Sequence, residues 1–252
     1  MRRTLAVILM SGTALLAGGC GARAGRSVAP APQAPSAAHV ASPVVSAPQA
    51  QPPAPRVAKP AIIPREDWGS QPDIARLEER RHTPRFITIH HAGVVWTAGS
   101  DPYQKLKGLQ SWGARDRNWP DVPYHYLIPP DGRIFEGRST DYPPDTNTRE
   151  FDTVGHINVH LWGSLGEQRA TLEMLQATVD VIAWLCQEHA IDPATIRGHR
   201  DHASTNCPGA DMYRYVSDGL IEKWVREKLA GGQPAVALLP PLPDGPFEFV
   251  PR

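Results

Sequence analysis

The sequence predicts an α/β fold in which helices flank a mixed central β-sheet, in a single domain that follows a disordered Pro/Ala-rich spacer. Three observations carry this. Strand-like runs at Phe86–His91, Tyr124–Ile128 and Val154–Trp162 are interleaved with runs of helical period. The Asp131-Gly132 pair signals a hairpin, so part of the sheet is antiparallel. Residues 21–60 are dominated by Ala, Pro, Ser, Val and Gln, too little apolar surface to offset the entropy of ordering. The 252 residues suit one domain, at 61–230, with extensions on either side.

The chain opens with Arg2-Arg3, a mostly apolar run from Leu5 to Leu16, and Ala17-Gly18-Gly19-Cys20. That run is shorter than the ~20 residues a membrane-spanning helix needs. Residues 1–20 read as an export signal, and small residues before a cysteine resemble a bacterial lipoprotein signal. The resemblance implies lipidation of Cys20 and an envelope protein anchored to a membrane and facing the periplasm. Under a plainly cleaved signal the protein is exported all the same. The prolines of residues 21–60 favour extended conformations, a semi-stiff spacer that sets the reach of the folded part.

Order begins near Ile62-Ile63-Pro64. From Phe86 to His91 apolar residues fall on both faces, as in a buried central strand, and His90 stands near its C-terminal end. Asp101-Pro102 is a helix start, and Leu106, Leu109 and Trp112 give a helix over about 102–112 an apolar face. Trp119-Pro120-Asp121-Val122-Pro123 is a rigid connector into a strand from Tyr124 to Ile128, which pairs with Arg133–Glu136 across the hairpin. Residues 138–152 form a polar loop. In Val154–Trp162, Ile157, Val159 and Leu161 alternate with His156, Asn158 and His160. Leu172, Leu175, Val179, Ile182 and Cys186 mark a helix over about 168–190, in which Cys186 is a small core residue. A last helix is expected over about 211–229, ended by Gly231-Gly232, with a Pro-rich tail at 231–252.

Formal net charge is zero, so there is no basic footprint for nucleic acid. The three cysteines, Cys20, Cys186 and Cys207, stand in three different contexts, which argues against a disulfide framework. His199 and Cys207 lie eight residues apart on a turn-rich segment, where an imidazole and a thiol can close on one ion, and His90 can supply a third ligand. Three such ligands leave the fourth tetrahedral position of a zinc ion open.

Three blocks, in order, carry a family resemblance: Ile87-Thr88-Ile89-His90-His91; Trp119 to Ile128 with Asp131 to Arg138; and Gly198-His199-Arg200-Asp201 through Thr205-Asn206-Cys207-Pro208-Gly209. Over about residues 62–228 the chain resembles the type-2 N-acetylmuramoyl-L-alanine amidases and the related peptidoglycan recognition proteins. The resemblance implies zinc held by His90, His199 and Cys207. It makes Tyr124 a catalytic tyrosine beside the zinc water and Thr205 a helper at the scissile carbonyl. The implied substrate is peptidoglycan or a muropeptide, cut between N-acetylmuramic acid and L-alanine.

His91 faces away from His90, and His202 falls outside the implied ligand pattern. His125, His156 and His160 can line a groove or make buried hydrogen bonds, and the second reading is preferred. The sequence departs from the family at His156 and His160, where a small apolar run is usual, and around Asp145-Thr146-Asn147-Thr148; both places can border the groove. The rival expectation is a non-catalytic peptidoglycan-binding lipoprotein. Binding-only relatives usually lack the cysteine ligand, and Cys207 is present.

Overall fold

A computed structural model describes residues 56–243 and residue 245. The signal segment, Cys20 and residues 21–55 lie outside the described residues, and among those described no helix is long and apolar enough to cross a membrane. The strands are β1 (Ile62–Ile63), β2 (Phe86–His91), β3 (Tyr126–Ile128), β4 (Ile134–Glu136), β5 (His156–Leu161) and β6 (Ile196–Gly198). They form one sheet in the order β1-β4-β3-β5-β2-β6. The β3–β4 hairpin is antiparallel and the other pairings are parallel, so the sheet is mixed as expected. Helices are α1 (Ile74–Glu78), α2 (Pro102–Arg117), α3 (Leu172–Glu188), α4 (Ala210–Ser217) and α5 (Leu220–Leu229).

Alternation along β2 and β5 sorts the interior. Ile87, Ile89, Ile157, Val159 and Leu161 join Leu175, Val179 and Ile182 of α3 and Val225 of α5 in the larger core. Each such fully buried aliphatic side chain contributes about 1.5–3 kcal/mol. Cys186 lies in this core as expected, and burial pushes its thiol up to about 12, which makes it inert. Trp68, Leu106, Leu127 and Phe135 form a second cluster with Trp96 and Trp162. In register on the other face of β2 and β5 stand the pairs Thr88–Asn158 and His90–His160.

Several boundaries differ from expectation, each for a local reason. β3 begins at Tyr126, so Tyr124 and His125 belong to the connector. Helix α2 runs on to Arg117 because Asn118, at φ 55°, adopts the left-handed cap conformation and returns its N–H to Gly113. The expected last helix is two, α4 and α5, separated at Asp218-Gly219, where Gly219 turns left-handed at φ 70°. The short β1, α1 and β6 have too few residues to show a period. Residues 56–60, assigned to the spacer, include a docked residue: Val57 is buried and exchanges hydrogen bonds with the Gln187 amide at 2.7 and 3.1 Å. The Pro-rich tail also docks, with Val236 and Leu239 on the larger core and Leu239 N–H donating to Tyr215 Oη at 2.9 Å.

Candidate metal centre and adjoining groove

The segment from Gly198 to Gly209 folds back on itself. Arg200 N–H donates to the Cys207 carbonyl at 2.9 Å, and Arg200 Nη2 reaches the Asn206 carbonyl. Asp201 accepts from Gly198 N–H at 2.8 Å and from the Tyr213 hydroxyl at 2.5 Å. Gly209, at φ 89°, fits where a Cβ would stand 2.3 Å from the Leu165 carbonyl carbon. The loop end is thereby pressed against the sheet, and it brings Cys207 to the C-terminal end of β2.

His90, His199 and Cys207 meet there, with one potential donor atom from each lying within 4.8 Å of the others. Cys207 Sγ is 3.6 Å from His90 Nδ1 and accepts from His91 N–H at 3.3 Å, while the His90 and His199 rings are 4.5 Å apart. Two imidazoles and one thiol form a donor set that suits zinc and leaves a coordination position open. Burial, reinforced by His199, holds His90 well below the ordinary histidine range, and burial, reinforced by His202, lowers His199 to about 4. Both rings are therefore neutral and able to offer a lone pair at physiological pH. Burial pushes the Cys207 thiol up to about 12, so a bound cation must displace its proton.

His199 has a support in the loop at 145–148, expected only to border the groove. Its Nε2 lies 2.8 Å from Thr148 Oγ1 and 3.4 Å from Thr146 Oγ1. An Nε2–H donated to Thr148 leaves Nδ1 for the ion, the arrangement by which outer hydrogen bonds orient metal ligands. Sequence reading flagged 145–148 only as a possible groove border; a long polar loop shows no period that would tell where its hydroxyls end.

Tyr124 sits beside the cluster, its ring 5.3 Å from His90 and stacked on His160 at 4.1 Å. Arg138 N–H holds the Tyr124 carbonyl at 2.8 Å. Burial, with Cys207 as a second cause, raises the phenol well above its usual range, so it stays protonated and can donate. Thr205 Oγ1 accepts from Cys207 N–H at 3.2 Å, a two-residue turn contact that leaves its own O–H free.

The other histidines separate by their contacts. His91 Nδ1 accepts from Leu165 N–H at 3.0 Å, and His91 is outside the donor cluster, as expected. His202 stacks on Phe151 at 4.7 Å and is also outside it. His125 is fully buried, with Nε2 at 3.0 Å from the Tyr142 carbonyl and Nδ1 accepting from Asn158 N–H at 2.8 Å. His156 Nδ1 lies 2.8 Å from Thr88 Oγ1. These two make the buried hydrogen bonds anticipated for them. His160 does not: it lines a groove of about 360 Å³, together with Tyr124, Asn147, Trp162, Lys105 and Trp112.

Fold and site together define an α/β domain with a cluster of three potential metal donors at the strand ends and a groove alongside. The chain belongs to the N-acetylmuramoyl-L-alanine amidase family, whose model matches residues 80–210. It is 25% identical over 165 residues to peptidoglycan-recognition protein SD of Drosophila melanogaster, covering 65% of this chain and 85% of that protein. To peptidoglycan-recognition protein LB of the same organism it is 27% identical over 169 residues, covering 64% and 69%. The crystal structure of the Drosophila SD protein shares the fold at a TM-score of 0.54 and 22% identity, over 62% of this chain and 93% of that one. A mutant of the Drosophila LB protein, in complex with tracheal cytotoxin, matches at 0.53 and 25% identity, over 62% and 92%.

Proposed function

We propose that this protein is a zinc-dependent N-acetylmuramoyl-L-alanine amidase, cutting the amide bond between N-acetylmuramic acid and L-alanine in peptidoglycan. The observation that carries the reading is the convergence of His90, His199 and Cys207, with donor atoms within 4.8 Å. Family membership supports the reaction, and the relatives' names, recognition proteins for peptidoglycan, support the substrate. His90, His199 and Cys207 would hold the zinc, which would supply Lewis acidity and lower the pKa of water towards roughly 7. The chain's own residues do the rest. His90 and His199 stay neutral and hold their places, His199 through Thr148. Tyr124, kept protonated, donates a hydrogen bond to the oxygen that gains charge as the carbonyl is attacked. Thr205 offers its O–H to the same carbonyl. Hydrolysis adds oxygen to the carbonyl carbon and a proton to the leaving L-alanine amine.

The amino-terminal reading completes the proposal: an exported envelope protein, lipidated at Cys20 and facing the periplasm. Mass spectrometry of the mature chain is expected to find a diacylglycerol adduct on Cys20, and an unmodified Cys20 would remove the anchor from the account. For the reaction, the full chain is incubated with purified peptidoglycan and zinc, and new L-alanine amino termini are counted. They are expected with the wild type and expected to vanish in Cys207→Ala. Equal release by Cys207→Ala would refute the assignment, and peptidoglycan binding without release would favour a recognition protein.

A further inference from the structure

The His90 ring has one nitrogen placed and one stranded. Nδ1 lies 3.6 Å from Cys207 Sγ, on the donor side, while Nε2 is buried without a hydrogen-bond partner among the described residues. A neutral imidazole carries one proton and one lone pair. For Nδ1 to offer its lone pair to a cation, the proton must sit on Nε2, and that N–H is buried. Thr148 meets the same need for His199, at 2.8 Å from its outer nitrogen.

One neighbour fits that N–H. Asn158 is fully buried, and both atoms of its amide are without a partner among the described residues. Thr88–Asn158 and His90–His160 stand in register across β2 and β5, so Asn158 and His90 project from the same face of the sheet. Thr88, directly across from Asn158, is engaged with His156 Nδ1 at 2.8 Å. Of the rings beside His90, Phe151 has no acceptor and His199 Nε2 is engaged with Thr148. Burial lowers His90 most, His199 and His160 next, and Asn158 works against them, as an acceptor beside a ring N–H does. Resting on the zinc reading, we propose that Asn158 is the positioning residue for His90: its Oδ1 accepts the Nε2–H and keeps the Nδ1 lone pair aimed at the ion. The amide turns on a broad torsion while the β2–β5 pairing fixes both backbones, so the side chain alone closes the contact. Its orientation selects the tautomer. With Nδ2 turned to Nε2 instead, the proton would pass to Nδ1, and the ring would face Cys207 with an N–H that cannot ligate a cation.

Two readouts other than turnover test this on the full chain. Nitrogen-15 shifts of labelled histidine report which His90 nitrogen holds the proton, and competition with a chromophoric chelator reports zinc affinity. The metal-free wild type is expected to carry the His90 proton on Nε2 and to keep it there when zinc is added. Asn158→Leu fills the space without an acceptor; it is expected to mix the two tautomers and to weaken zinc binding about 10–100-fold. Asn158→Asp, which keeps an acceptor, is expected to restore both. A proton on Nδ1 in the metal-free wild type overturns the assignment without recourse to any variant. An unchanged tautomer in Asn158→Leu also overturns it: with zinc affinity lost, Asn158 is a packing residue, and with affinity kept, the metal reading stands without it. Failure of the wild type to bind zinc at all overturns the metal reading and the positioning role with it.

Discussion

Arg138 and His160 lie equally deep, yet their polar atoms end differently. Arg138 donates from Nε and Nη2 to the carbonyls of Val122 and Asp121, both at 3.0 Å, from Nη1 to that of Pro143 at 2.5 Å, and from Nη2 also to Asp145 Oδ2 at 2.5 Å. Asp121 in turn accepts from Arg65, Gln110 and Val122, each at 2.7 Å. Across the sheet's other polar patch, His90 Nε2, both amide atoms of Asn158, both His160 nitrogens and Trp162 Nε1 have no partner among the described residues. Asn158 lies near the His90 ring but outside hydrogen-bond geometry. An unmatched buried polar group costs about 1–3 kcal/mol. A region that closes on itself is scaffold; one that leaves such atoms together at the strand ends, beside three metal donors, is organised around something that binds.

Four measurements can break or sharpen that contrast. The largest effect is expected on the scaffold side. Arg138→Met leaves the carbonyls of Asp121, Val122 and Pro143 without their buried donor and Asp145 with Arg80 alone, and urea unfolding should show a loss of about 3–5 kcal/mol. On the open side Tyr124→Phe should leave zinc content and stability near wild type while kcat falls by about 10²–10³, the worth of one oxyanion donor; lost zinc would make Tyr124 structural instead.

His125 gives a pH test of the closed region. Burial lowers it to about 3, against about 6.5 for an unfolded histidine. Between those values the unfolded chain holds the proton and the folded one does not, so stability rises with pH. The contribution is complete above about 6.5 and declines by about 1.4 kcal/mol for each pH unit below it. Urea midpoints of the metal-free chain at pH 7 and 5 should therefore differ more in the wild type than in His125→Asn. The smallest effect is expected from Thr148→Val, which removes the hydroxyl behind His199: zinc affinity should fall about tenfold, and excess zinc should restore turnover.

The sequence made part of this legible. β2, β5 and α3 show their alternation or period over six or more residues, and the hairpin has its Asp131-Gly132 turn, so the mixed sheet was readable from pattern. Cys207 and His199 were readable because cysteine is scarce in this chain and the two share one short loop, and His90 because it stands near the end of a buried strand-like run. Thr148 was not, since its role depends on where an aperiodic loop comes to rest. His160 was misplaced among the buried hydrogen-bonded histidines along with His125 and His156. Alternation put it on a polar face of β5, but only the pairing of β5 with β2 sets it beside His90, and strand neighbours are not written in either strand.

The central claim is that His90, His199 and Cys207 hold one zinc ion that the reaction requires. Its most direct test is to strip the full chain of metal, add zinc in stepped equivalents, and follow both bound metal and release of L-alanine amino termini from peptidoglycan. The account predicts that both rise together and level off at one equivalent. Full release from the metal-free chain, or one tightly bound equivalent with no release at all, would contradict it.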